Sequence, residues 1–181
     1  MLPPELIDYI FSFLRKDTLA LKACSEAHPL YSRLSERHLY TDIVVDPPGV
    51  SELYKQFSEN SRFLDYPRAL EIRRGPFENQ LILSIMAMIP RMANLISLTI
   101  CERPCSFDHN EEFISTFRNC LQQSSIEKLY LSDLADFSFS VLDNGKNIKK
   151  LMLSDCNLEA AEETHFELTL ISGSRDAHNL R

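Results

Sequence analysis

Three stretches of this chain repeat one apolar spacing: Leu95-x-x-Leu98-x-Ile100, Ile126-x-x-Leu129-x-Leu131 and Ile148-x-x-Leu151-x-Leu153. Shorter echoes stand on either side, Leu70-x-Ile72 and Leu168-x-Leu170. The last two apolar positions of each are two residues apart, the period of a strand with one inward face. Between them lie helix-like stretches, Leu81 to Met92, Glu111 to Gln123 and a short one from Ser138 to Leu142. A further helix is expected from Ser51, with Leu53, Phe57 and Leu64 inward. Strands that alternate with helices run parallel and bury themselves against those helices, so the fold class is α/β.

Strand-loop-helix units at intervals of 22 to 31 residues resemble a leucine-rich repeat. The stretch Ile148-x-x-Leu151-x-Leu153-x-x-Cys156-x-Leu158 fits that consensus most fully, which gives Cys156 a structural role under the turn. Other units depart from it, with Leu134 and Arg103 at the corresponding position. Residues 51–172 therefore read as a short, irregular leucine-rich-repeat-like solenoid; an ordinary α/β domain with parallel strands is the other arrangement. A solenoid presents its strand residues on a concave face. Arg73, Lys128, Tyr130, Lys149, Lys150 and Met152 fall on or near it and are the expected substrate-binding set. The final unit looks cut short, and the polar residues 173–181 are expected to fray.

The N-terminus has a different texture. Pro3 and Pro4 are tolerated in a first helical turn, and Glu5 then meets the positive end of the helix dipole. Leu6, Ile10 and Leu14 recur every four residues, and Ile7, Phe11 and Phe13 widen the stripe beyond what one core contact uses. Such a helix can pack wholly into its own core or give one face to a partner. Asp17 or Thr18 can cap a second helix over Leu19 to Ser25, and His28-Pro29 restarts the chain into a third through Leu30, Tyr31, Leu34 and Leu39. Asp46-Pro47-Pro48-Gly49 is the expected break, with residues 46–50 as linker.

Leu2-Pro3-x-Glu5-Leu6-x-x-x-Ile10-x-x-x-Leu14 resembles the opening of an F-box. Asp17 to Ser25 looks like its middle, and Arg37-His38-Leu39-Tyr40-Thr41-Asp42-Ile43 resembles its end in fungal F-box proteins with leucine-rich tails. The resemblance covers residues 1 to 43. It departs at Ala27-His28-Pro29-Leu30-Tyr31, where the family usually has Val-Cys-x-x-Trp, and at Glu26, where an apolar residue is common. It implies a three-helix F-box over residues 1–45 that docks on a Skp-type adaptor, which in turn holds cullin and RING subunits. Leu2, Pro3, Leu6, Ile10, Leu14, Leu19, Cys24 and Tyr31 would form the adaptor interface or support it directly. The chain would then be the substrate receptor of a Skp-cullin-F-box ubiquitin ligase, its repeat region binding an unknown protein substrate. The alternative is a leucine-rich interaction module outside any ligase.

No constellation for bond chemistry is legible. The four glycines lie far apart, which leaves no phosphate-cradling loop. Cys101-x-x-x-Cys105 has only His109 nearby, and zinc takes four ligands. The five histidines form no metal-binding pair; His28 reads as a helix cap and His38 as a packing or surface residue. Ser132-Asp133 and Ser154-Asp155 read as turns, and no nucleophile has an identifiable base. A non-catalytic protein without metal or cofactor is expected. A net charge of −7 argues against nucleic acid as partner. Leu81 to Pro90 is too short to span a bilayer, so no membrane partner is expected, and Met1 to Glu5 lacks the features of a signal peptide. Five irregularly spaced cysteines then read as reduced thiols of a cytoplasmic or nuclear protein.

Overall fold

The computed structural model describes residues 2–74, 79–102, 111–132, 139–143, 145–154 and 167–171. The chain opens with three helices, α1 (Pro4–Phe13), α2 (Thr18–Ala27) and α3 (Pro29–Leu39). Each start has a local cause. Prolines occupy the first turns of α1 and α3, where no backbone N–H is needed. Asp17 caps α2 by accepting from the Ala20 N–H at 2.9 Å, and α2 runs on to Ala27, past the expected end at Ser25. His28 Nδ1 accepts from the Leu30 N–H at 3.1 Å, the capping role expected of it.

Ile7, Phe11 and Leu21 form the centre of a small core, with Leu14, Cys24, Leu30, Tyr31, Leu34 and Leu39 packed against it. So small a core needs support from outside. It is tied to the rest of the chain at the end of α3, where Arg62 meets Glu36 at 2.7 Å and Tyr40 Oη donates to Gln56 Oε1 at 2.8 Å. The Tyr40 ring lies 4.7 Å from that of Phe63, and burial, with Glu36 and Glu52 nearby, raises its phenol pKa. Arg15 closes the junction on Asp42 at 2.6 Å.

A six-stranded parallel sheet follows, its strands in simple chain order: β1 (Asp42–Val45), β2 (Ala69–Arg74), β3 (Ser97–Glu102), β4 (Lys128–Ser132), β5 (Lys150–Ser154) and β6 (Glu167–Ile171). The sheet begins earlier than the expected linker. Ile43 and Val45 alternate with exposed residues and pair in register with Leu70 and Ile72, so 42–45 belong to the sheet and not to the helical module. Residues 46–50 are no free spacer: Pro47–Gly49 form one 3-10 turn, and Val50 already starts α4 (Val50–Glu59). Leu64 is buried as expected, but in a separate 3-10 turn, Ser61–Asp65.

Helix α5 spans Asn79–Met88 and α6 spans Glu111–Gln123. The expected helix to Met92 gives way at Ile89–Arg91 to a 3-10 turn, because Pro90 has no N–H for the α ladder. The short stretch before Leu142 is likewise one 3-10 turn, Phe139–Val141. Alternate strand residues, among them Leu70, Ile72, Leu98, Ile100, Leu129, Leu131, Leu151 and Leu153, are buried in one core with α4, α5 and α6. Parallel strands in simple chain order, joined by crossovers of one hand, carry their helices on one face. Among the described residues the other face carries Val44, Glu71, Thr99, Tyr130, Met152 and Thr169, which are exposed or half-buried.

The turns before β2, β3, β4 and β5 repeat one bonding pattern. The carbonyls of Thr41, Arg68, Ile96 and Glu127 each accept two N–H groups from the start of the next strand. Side chains stitch these turns together: Asn94 Nδ2 donates to the Asp65 carbonyl at 2.7 Å, Ser125 Oγ to that of Leu95 at 2.7 Å, and Asn147 Nδ2 to that of Ser124 at 2.8 Å. Successive units are thus hydrogen-bonded outside the ladder as well as within it.

Candidate docking surfaces

The first surface is on α1, whose circumference divides into three. Ile7 and Phe11 point inward, 4% and 5% exposed. Asp8 marks a polar face, tied to α3 by His38 Nε2 at 2.9 Å and Arg37 at 3.6 Å. The third face carries Leu6, Tyr9, Ile10 and Phe13, all exposed, with Leu2 before it and Leu19 beyond it at the start of α2. Phe13 is 71% and Leu19 78% exposed. Tyr9 and Phe13 sit edge to face at 4.9 Å, an aromatic pair with no core above it.

The expected adaptor residues therefore divide. Leu2, Pro3, Leu6, Ile10 and Leu19 are on the surface. Leu14, Cys24 and Tyr31 are half-buried and pack against the inner cluster, which gives them a supporting role. Leu6, Ile10 and Leu14 do not share one face: the helix ends at Phe13, and Leu14 joins the inner cluster. Tyr31 lies edge-on to Phe11, ring centroids 6.0 Å apart, and so fills an aromatic packing role in the small core. Tyr9 and Phe13 were not among the expected contacts; their spacing from Leu6 and Ile10 on one helical face was the signal for them.

The second surface is the open face of the sheet. In register across it run Val44, Glu71, Thr99, Tyr130, Met152 and Thr169. One row toward the strand starts come Lys128 and Lys150, and one row toward the ends come Arg73, Cys101, Ser132 and Ser154. A concavity of about 140 Å³ opens between β3, β4 and β5, lined by Thr99, Tyr130, Leu131, Ser132, Met152, Leu153 and Ser154.

Five of the six expected substrate residues are thus brought together on one face, and Lys149 stands one position ahead of β5 at its edge. Their charges are not equally available. Arg73 is held by Glu71 at 2.6 Å and Asp46 at 3.3 Å, and Lys149 by Glu127 at 2.7 Å. The Arg73 guanidinium pKa is raised, chiefly by its hydrogen bond and charge interaction with Glu71. Thr99, Ser132 and Ser154 were missed, although strand alternation through Thr99 marks the same face.

Cys120 is buried in the main core, and burial pushes its thiol up to about 12. Cys24 and Cys101 are partly exposed. Cys105, Cys156, His109, Asp133, Asp155, Leu134, Leu158, Arg103 and the tail 173–181 lie outside the described residues. Among the described residues no three His, Cys, Asp or Glu side chains group as a metal site, and no helix is long and apolar enough to cross a membrane. Comparison with protein-family models, with curated proteins and with solved structures returns no match for this chain.

Proposed function

We propose that this chain is a non-catalytic substrate receptor of a Skp-cullin-F-box ubiquitin ligase. Its three N-terminal helices are read as an F-box and its sheet region as an irregular leucine-rich-repeat solenoid. The helices dock on a Skp-type adaptor, and through it on cullin and RING subunits in the cytoplasm or nucleus. The open sheet face holds a protein substrate near the conjugating enzyme, which raises the effective concentration of its lysines.

One observation carries this reading. Of the eight large apolar side chains exposed among the described residues, six (Leu2, Leu6, Tyr9, Ile10, Phe13 and Leu19) lie in the first nineteen positions. A contiguous apolar patch rimmed by polar residues marks a protein interaction site, and here it sits on the helix that carries the F-box resemblance. The parallel strands in chain order, stitched turn to turn, support the solenoid half of the reading.

Co-purification with a Skp-type adaptor tests it, with an Ile10→Asp variant beside the parent. Ile10 is half exposed, so the variant folds, which far-UV circular dichroism checks. The expected loss is about 2 kcal/mol or more of binding, roughly thirtyfold. Failure of the parent chain to bind any Skp-type adaptor would overturn the ligase assignment and leave a leucine-rich interaction module.

A further inference from the structure

The open sheet face carries two ammonium groups for which no ion pair is found among the described residues. Lys128 and Lys150 are register partners on β4 and β5, one strand spacing apart, about 4.8 Å. Ser97 precedes them in the row and Glu167 stands in register beyond Lys150, so the row holds two cations side by side with one carboxylate at its β6 end. The neighbouring cations are engaged, Arg73 with Glu71 and Asp46, Lys149 with Glu127. Like charges directly opposite across a strand pair repel, so an anion placed between them relieves a built-in cost. In a chain of net charge −7, this pair is a local inversion of sign.

The apolar concavity lies next to that pair. Tyr130 and Met152 follow Lys128 and Lys150 by two residues on the same strands and the same face, which sets the centres roughly 7 Å apart. An extended peptide places its own alternate side chains at the same interval. The volume, about 140 Å³, compares with the roughly 150 Å³ that holds a benzene ring in an apolar cavity.

We propose that this face binds an extended acidic segment of a partner protein, a carboxylate seated between Lys128 and Lys150 and an apolar side chain, two residues away, in the concavity between Tyr130 and Met152. The proposal rests on the open-face half of the receptor reading and names the class of substrate. It involves no adaptor, so the two can fail separately.

The probe is an array of decapeptides in a Gly-Ser background, with one Asp and one Leu at every spacing from one to four residues, in both orders. Binding of the full chain is read at low salt. Peptides with Asp and Leu two positions apart should bind best, and Asn in place of Asp should abolish the preference. A Lys128→Ala, Lys150→Ala double variant should lose about three- to tenfold, and the matching Arg variant should retain binding. Lys128 is exposed and Lys150 half-buried, and thermal melts of all three proteins should coincide. Equal binding at all spacings, binding that survives the double Ala change, or no binding to any probe each overturns the proposal.

Discussion

Two phenylalanines one turn-fraction apart on α1 should behave as if they belonged to different proteins. Phe11 is 5% exposed and packs edge-on against Tyr31 in a core with three buried apolar members among the described residues. Phe11→Ala removes most of a buried aromatic with few neighbours able to close the space, at a cost of about 3–4 kcal/mol. Phe13 is 71% exposed, so folding removes from water under a third of its surface. Full burial of such a side chain is worth about 1.5–3 kcal/mol, which leaves Phe13→Ala below about 1 kcal/mol. Its edge contact with Tyr9 adds a few tenths at such an exposed site. Urea unfolding followed by far-UV circular dichroism measures both, since the chain has no tryptophan. Equal losses in the two variants would falsify the assignment of inner and outer faces to α1.

Cys120, its thiol pKa raised to about 12, stays protonated at pH 8, so iodoacetamide should label Cys24 and Cys101 first. Labelling of Cys120 should rise only on unfolding or as pH approaches 12, which peptide mapping by mass spectrometry reads directly. Asn147→Ala should cost about 1 kcal/mol by leaving the Ser124 carbonyl without its inter-turn donor. Asn119→Ala on the exposed surface of α6, where the side chain accepts from Gln123 Nε2, should stay within about 0.5 kcal/mol in the same melts.

Much of the architecture was legible because its signals are periodic. The Leu-x-x-Leu-x-Leu spacing located β3, β4 and β5, and α6 ends where its apolar pattern ends. β1 was hidden because Ile43-x-Val45 is too short to stand out and adjoins a helix and a Pro-Pro break. Propensity also misled at Pro90, which ends α5 by removing a donor. On the open face, alternation found the positions but not the charge balance. Lys149 looks like a free cation in sequence; its partner Glu127 comes from another unit of the fold, as does Asp46, the second partner of Arg73 after Glu71. On α1 the helical wheel gave apolar width, while the split between Ile7 and Ile10 needed the position of α3.

Hydrogen exchange of the chain with and without a Skp-type adaptor tests most directly whether the two surfaces divide the work. Amides of α1 and of the start of α2, residues 4–20, should slow on complex formation, while those of β3, β4 and β5 keep their rates. No slowing in residues 4–20, or slowing centred on the strands, would contradict the account.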